Sequence, residues 1–320
     1  MHHKNIKKVL ITDPIDPTFV QCLRNAGCDV DEKKLTKDQL ISQIADYDAL
    51  VVRSGTQVTV DVIAAGKNLK LIGRAGTGVD NIDVPAATKH GVWVMNTPGA
   101  NTISAAEMTC ALILALARQI PQACQTLKDG RWDRKLFMGN ELMGKTLAIL
   151  GLGRIGREVA TRMRSFGMTI VGFDPFMPAE TAAQYGIQFM APEQIWPVAD
   201  YITVHVPLLP ETENLVCSEV LVKCKRGVKI INAARGGIVN EKDLLKELES
   251  GQVGGAALDV FAEEPPGPEV QKLLKHSKVV CTPHLGASTT EAQERVAGDL
   301  AEQIQQWITT GNAPGFVNKI

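Results

Sequence analysis

The run Thr146-Leu-Ala-Ile-Leu-Gly151-Leu-Gly153-Arg-Ile-Gly156 limits what this chain can fold into more than any other stretch. An apolar segment of strand length leads into G-x-G-x-x-G and then into the helix-forming Arg157-Glu-Val-Ala-Thr-Arg-Met. In that arrangement Gly151 allows a tight turn, Gly153 lets backbone approach a pyrophosphate, and Gly156 lets helix and strand pack closely. The helix N-terminus adds free N–H groups and a partial positive charge for phosphates. A second apolar segment, Thr169-Ile-Val-Gly-Phe-Asp174, ends in a carboxylate about 20 residues on, where NAD-binding folds hold a ribose 2′-hydroxyl. An acidic Asp174 repels a 2′-phosphate, so NAD is favoured over NADP. The motif sits near the middle of the chain rather than at its start.

At 320 residues the chain suits two domains of ordinary size. Aromatics make up only 5%, whereas Ala, Val, Ile, Leu and Gly are abundant, as in a parallel sheet covered by helices. A net charge of −1 gives no attraction for nucleic acid or membrane, so an anionic substrate must be met by a local cluster of Arg and Lys. The seven cysteines are odd in number and lack C-x-x-C spacing, which reads as buried, reduced thiols of a cytoplasmic protein. No signal peptide is visible, and the apolar stretch from Met108 to Leu116 is too short to cross a bilayer. No cluster has zinc spacing, His90 and His276 read as surface residues, and His2-His3 is assigned no function.

Before the motif, Val9-Leu-Ile-Thr, Ala49-Leu-Val-Val, Leu69-Lys-Leu-Ile-Gly and Val92-Trp-Val-Met read as strands, with helical stretches at 17–26, 36–45, 61–65 and 85–89. That is a small α/β unit without a cofactor fingerprint. After Thr97-Pro-Gly99, the spacing Ser104-Ala-Ala-Glu107 predicts a capping box and a long apolar helix to about Gln119. Past the motif, strands are expected around Ile149, Ile170, Tyr201, Ile230, Ala256 and Val279. Ser288-Thr-Thr-Glu291 predicts the cap of a final helix to about Trp307. The Pro/Gly-rich Glu263-Glu-Pro-Pro-Gly-Pro268 reads as a rigid surface turn. The expectation is two α/β domains, the second doubly wound, with a cleft between them.

Three later segments carry chemistry. Ile231-Asn-Ala-Ala-Arg235-Gly-Gly places an Arg where a parallel strand ends, the edge at which open α/β sheets bind ligands. Leu258-Asp259-Val-Phe-Ala-Glu263-Glu264-Pro places carboxylates after the next strand, and Thr282-Pro283-His284-Leu-Gly286 places a His after another. Each alone reads as an ordinary surface residue. Together, in a domain with a dinucleotide fingerprint, they suit hydride transfer from an alcohol. His takes the hydroxyl proton, a carboxylate fixes its tautomer, and Arg clamps a substrate carboxylate and polarises the C–O bond.

The runs Gly151-Leu-Gly-Arg-Ile-Gly, Asn232-Ala-Ala-Arg-Gly-Gly, Leu258-Asp-Val-Phe and Pro283-His resemble the D-isomer-specific 2-hydroxyacid dehydrogenases over essentially the whole chain. Within that family, Gly73-Arg-Ala-Gly-Thr-Gly-Val-Asp-Asn81 and Gly130-Arg-Trp-Asp-Arg-Lys-Leu-Phe-Met-Gly139 are most similar to animal members that oxidise 3-phospho-D-glycerate to 3-phosphohydroxypyruvate, entering serine synthesis. The resemblance implies Arg235 for substrate, Glu264 as partner of the imidazole (it directly precedes the proline) and His284 as acid/base. It implies cofactor contacts at Thr77, Gly151, Gly153, Arg154, Ile155, Gly156, Asp174, Ala233, Ala234, Asp259, Gly286 and Ala287. The related pattern has Thr after the His of Thr203-Val-His205, where this chain has Val206, so no hydroxyl is offered there. His205 itself reads as structural or cofactor-adjacent.

Substrate recognition is expected from the first domain. Arg53 and Ser54 follow one strand end and Arg74, Gly76 and Thr77 another, while Asn101 precedes the long helix. A phosphorylated 2-hydroxy acid carries roughly three negative charges, more than one Arg can match. Arg131, Arg134 and Lys135 form a basic loop that in the family reaches across a dimer interface, and a solvated charge run is the other reading. The resemblance implies a homodimer or homotetramer. It also implies a Rossmann NAD domain (99–285) inserted into a flavodoxin-like substrate domain (1–98 and 286–320), both doubly wound parallel sheets. Many relatives carry C-terminal regulatory domains that bind serine, and feedback by that route is not expected here. A glyoxylate/hydroxypyruvate reductase, a formate dehydrogenase and an NAD-sensing corepressor remain alternative readings.

Overall fold

The computed structural model describes residues 6–320, so His2-His3 lies outside the described residues. The chain divides into two compact units, one of residues 1–101 with 288–320 and one of residues 102–287.

In the first unit, β1 (Lys8–Ile11), β2 (Asp29–Glu32), β3 (Ala49–Val52), β4 (Leu71–Arg74) and β5 (Trp93–Asn96) form a parallel sheet of order β2-β1-β3-β4-β5. This is the flavodoxin-like winding. The strands are short and apolar because both sheet faces are covered. Val9, Ile11, Val51 and Leu71 enter one core layer, and Leu10, Leu50, Val52 and Ile72 enter the other, the alternation that a pleated strand imposes. The helix Thr290–Thr310 returns to this unit and buries Val296, Leu300, Ile304 and Trp307 in the first layer. Each such side chain contributes ~2 kcal/mol by leaving water.

In the second unit, β6 (Thr146–Leu150), β7 (Thr169–Phe173), β8 (Gln188–Phe189), β9 (Tyr201–Val204), β10 (Val228–Asn232), β11 (Val253–Leu258) and β12 (Val279–Cys281) are all parallel. Their order is β12-β11-β10-β9-β6-β7-β8. The winding reverses at β6, which pairs with β7 on one side and β9 on the other. The resulting crevice at the carboxyl ends is where such sheets take a ligand. The two units are thus the doubly wound α/β folds expected.

Local readings differ in places. Ser104 does not cap the long helix, which begins at Thr102 and runs to Arg118, so Ser104 lies inside it. The final helix is capped by Thr289, whose side chain accepts from the Ala292 N–H, rather than by Ser288. Strand β2 escapes the apolar pattern because it is an edge strand whose sequence DVDE buries only Val30. Charges on an edge discourage pairing with other chains. All seven cysteines are free, but only Cys28, Cys110 and Cys224 are buried, while Cys124 and Cys281 are exposed. No single helix among the described residues is long and apolar enough to cross a membrane.

Candidate active site

The turn after β6 has the shape its glycines require. Gly151 has φ +95°, and a Cβ there would lie 2.5 Å from the His205 carbonyl oxygen. Gly156 is pressed against the Gly151 carbonyl in the same way. A Cβ on Gly153 would meet nothing within 4 Å, so open space lies over that backbone. Gly153 also starts the helix Arg154–Arg164 with no side-chain cap. An uncapped helix start facing open space suits a pyrophosphate. Asp174, at the end of β7, is half-buried and anchored: Oδ2 accepts from the Leu152 N–H at 2.8 Å and Oδ1 from the Phe176 N–H at 2.8 Å. Gly151, Gly153, Arg154, Ile155, Gly156 and Asp174, expected to hold the dinucleotide, share one turn region, and its open backbone fits NAD.

Further along the same sheet edge, Asn232 shapes the turn after β10. Its amide donates to the Arg235 carbonyl at 2.8 Å, and its Oδ1 accepts from the Ala234 N–H at 3.1 Å. Ala233, Ala234 and Arg235 are half-buried on that turn. Gly236 lies so close to the Phe261 backbone that any side chain would collide with it, which seats the Arg235 turn against the turn after β11. On the latter, Glu264 accepts the Phe261 N–H through Oε1 at 3.1 Å and meets His284 Nδ1 through Oε2 at 2.6 Å. Burial pushes the Glu264 carboxyl up, but the hydrogen bond and charge of His284, the Phe261 N–H and the charge of Arg235 outweigh it and hold the group below its ordinary range. His284 and Glu264 side chains are 40% and 37% exposed, so the pair is open to a substrate. Arg235, Glu264 and His284 are thus brought together at this edge.

Asp259, Gly286 and Ala287 sit differently from the open cradle. Asp259 is fully buried, and its carboxylate receives the Thr282 hydroxyl (2.6 Å) and the N–H groups of Leu285 (2.8 Å) and Gly286 (2.8 Å). Its observed partners are groups of the loop that carries His284. Gly286 is buried and Ala287 half-buried at the end of that loop. His205 Nε2 lies 3.1 Å from the Thr203 hydroxyl, and burial pushes this imidazole down to about 4.

In the first unit, Arg53, Ser54, Arg74, Gly76, Thr77 and Asn101 lie at or beyond the carboxyl ends of β3, β4 and β5. Asp13, after β1, accepts the N–H groups of Arg53 (2.6 Å) and Thr56 (3.1 Å), and Asn81 donates to the carbonyls of Arg53 (2.7 Å) and Thr56 (2.6 Å). These two residues shape the Arg53–Ser54 loop; Asp13 stands in no motif described above, and Asn81 ends the Gly73–Asn81 run. The Arg53 guanidinium, pushed down by burial and partly restored by the Asp13 charge, donates to the Pro14 carbonyl at 3.3 Å. Arg74 donates to the Ala75 carbonyl at 3.1 Å and lies directly over Gly76. Thr77 donates to Asn101 Oδ1 at 2.7 Å, so these two residues are paired within the first unit. Arg134 is exposed, and its segment also shows Trp132, Leu136 and Met138 at 75%, 70% and 84% exposure. That strip is therefore as apolar as it is basic, which argues against a simple solvated charge run.

Residues 110–286 match the sequence profile of the D-isomer specific 2-hydroxyacid dehydrogenase, NAD binding domain. The chain belongs to the D-isomer specific 2-hydroxyacid dehydrogenase family. Its second unit is the NAD-binding domain of that family. Among relatives of this chain, D-3-phosphoglycerate dehydrogenase of Sus scrofa is 54% identical over 319 residues, covering 99% of this chain and 60% of the relative. That of Methanocaldococcus jannaschii is 48% identical over 312 residues, covering 97% and 59%. The chain thus spans about 60% of the length of these relatives. Among solved structures, the TT0316 protein from Thermus thermophilus superposes with a TM-score of 0.88 at 32% identity, covering 97% of this chain and 100% of that one. A glyoxylate reductase from Paecilomyes thermophila gives 0.89 at 29% identity, covering 98% of both.

Proposed function

We propose that this chain catalyses NAD-dependent oxidation of 3-phospho-D-glycerate to 3-phosphohydroxypyruvate. The observation that carries the reading is the 2.6 Å contact of His284 Nδ1 with Glu264, beside Arg235 and on the sheet edge that bears the Gly151 turn. The relatives spanning nearly the whole chain at 54% and 48% identity support the choice of substrate.

With Nδ1 committed to an ionised carboxylate, Nε2 is the nitrogen left to accept the proton of the substrate 2-hydroxyl. NAD, held at the Gly151 turn, would supply the hydride acceptor for the carbon that bears this hydroxyl. Arg235 binds the substrate carboxylate and polarises the reacting C–O bond, stabilising the charge that develops on oxygen. Glu264 keeps the imidazole oriented and offsets its positive charge once it holds the proton. Gly151, Gly153, Arg154, Ile155, Gly156, Ala233 and Ala234 would surround the cofactor's phosphates and nicotinamide, and Asp174 would take the ribose hydroxyls. Arg53, Ser54, Arg74, Gly76 and Asn101 serve the substrate's anionic ends, with Thr77 beside Asn101. Asp259 acts through the loop it holds, with Gly286 and Ala287 at that loop's end.

The exposed Trp132, Leu136 and Met138, with Ile120 and Leu127 on the helix Ile120–Lys128, support assembly as a homodimer through the second unit. Arg134 would then be carried into the neighbouring copy's substrate region.

The test is NADH formation with 3-phosphoglycerate against glycerate, lactate and formate. A clear preference for the phosphorylated acid is expected. Faster turnover of an unphosphorylated acid would favour another member reaction of the family, and no NADH with any of them would sink the dehydrogenase reading.

A further inference from the structure

We propose that Ser104 is a positioning residue for His284. The inference rests on the reading of His284 as the acid/base. Ser104 is buried at 4% exposure in the first turn of the helix Thr102–Arg118. A hydroxyl inside a helix ordinarily bonds back to the carbonyl one turn earlier. Thr109 of the same helix does so, donating to the Ala105 carbonyl at 2.9 Å. Ser104 instead donates across 182 residues of sequence to the Gly286 carbonyl, at 2.8 Å.

That carbonyl ends the loop on which His284 sits. His284 has φ +55°, a left-handed conformation that a non-glycine residue keeps only when its surroundings enforce it. The enforcing contacts come from two sides. From the residue just after β11, the Asp259 carbonyl accepts the His284 N–H at 2.8 Å, and the Asp259 carboxylate takes Thr282, Leu285 and Gly286. From the long helix, Ser104 holds the other polar group of Gly286. Both residues belong to the second unit, each close to a point where the chain passes to the first. Without the hydroxyl, a buried carbonyl loses its donor and one side of the bracket opens. The backbone of His284 then relaxes and its imidazole leaves the 2.6 Å register with Glu264. Proton transfer depends steeply on that geometry. None of these hydrogen bonds reaches the turn at Gly151–Gly156, so the seat for the cofactor's phosphates stays intact.

The test compares the parent with S104A, S104T, E264Q, S104A/E264Q and H284A in full-length protein. It measures kcat, KM for 3-phosphoglycerate, NAD affinity by fluorescence titration, and thermal midpoint. S104A is expected to lower kcat by about ten- to a hundredfold, with NAD affinity close to the parent. S104T, which keeps the donor, should recover most of the rate. In the E264Q background the same substitution should cost far less, because the pair it positions is already broken. A parental kcat in S104A, or an equal loss in both backgrounds, would overturn the proposal. So would a loss that follows the thermal midpoint and NAD affinity together, the mark of a packing defect. Should S104T not fold, the comparison of the two backgrounds decides. An H284A enzyme with parental kcat would overturn the acid/base reading and this one with it. An inactive H284A beside an unchanged S104A overturns this one alone.

Discussion

Glu264 Oε2 lies 2.6 Å from His284 Nδ1 although the two residues come from turns after different strands, β11 and β12. The carboxyl is held below its ordinary 4.5, the contacts with His284, Phe261 and Arg235 outweighing the upward push of burial. A carboxyl lowered in the folded state contributes stability above its unfolded value, and that contribution is lost as the pH falls through the folded one. The pair is thus formed with an ionised Glu264 from about pH 4.5 upward.

Replacing Glu264 by Gln removes the charge and keeps the shape. The kcat for oxidation should fall about a hundredfold near neutral pH. The gap between parent and E264Q should narrow once the pH drops below 4.5, as the parent's own carboxyl takes a proton. Rates measured across that range check both statements, and a gap independent of pH would deny Glu264 its electrostatic part.

Gly151→Ala meets two penalties at one position. A left-handed φ of +95° costs an L-residue about 1–2 kcal/mol. The new methyl would also stand 2.5 Å from the His205 carbonyl. The variant should be less stable and bind NAD at least tenfold more weakly, which a fluorescence titration reads directly. Parental affinity would mean that the turn after β6 is not the cofactor's phosphate seat.

His205 gives a pH dependence of the opposite origin. Burial pushes its imidazole from 6.5 down to about 4. The unfolded chain takes up this proton near 6.5 while the folded chain waits until about 4, so stability is lost as the pH falls through that window. Urea midpoints at about pH 7 and about pH 4.5 should diverge more in the parent than in His205→Gln. Equal losses would show that this imidazole does not carry the effect.

Trp132→Asp should shift the mass seen by light scattering from dimer to monomer, because it places a charge in the middle of the exposed apolar strip. An unchanged mass would put the contact between copies elsewhere.

Most strands announce themselves because both faces of each sheet are covered, which leaves runs such as Ala49-Leu-Val-Val. The edge strands β2 and β8 do not, since DVDE and QF bury too little to leave a pattern. Arg235, Glu264 and His284 are legible because each follows a strand and the three types together make chemical sense. The roles of Asp13, Asn81 and Ser104 are not legible, although Asn81 ends the Gly73–Asn81 run. Their hydrogen bonds reach residues far away in sequence, and only the folded chain brings those partners together. Ser104 even imitates a helix cap in sequence, while its hydroxyl is used on the His284 loop.

The central claim is that the imidazole of His284 takes the substrate's hydroxyl proton while the cofactor is held by other residues. The most direct measurement is kcat and NAD affinity of His284→Ala in one preparation. The account predicts a loss of turnover of at least a hundredfold with NAD affinity nearly unchanged. Parental turnover, or NAD affinity lost in step with turnover, would contradict it.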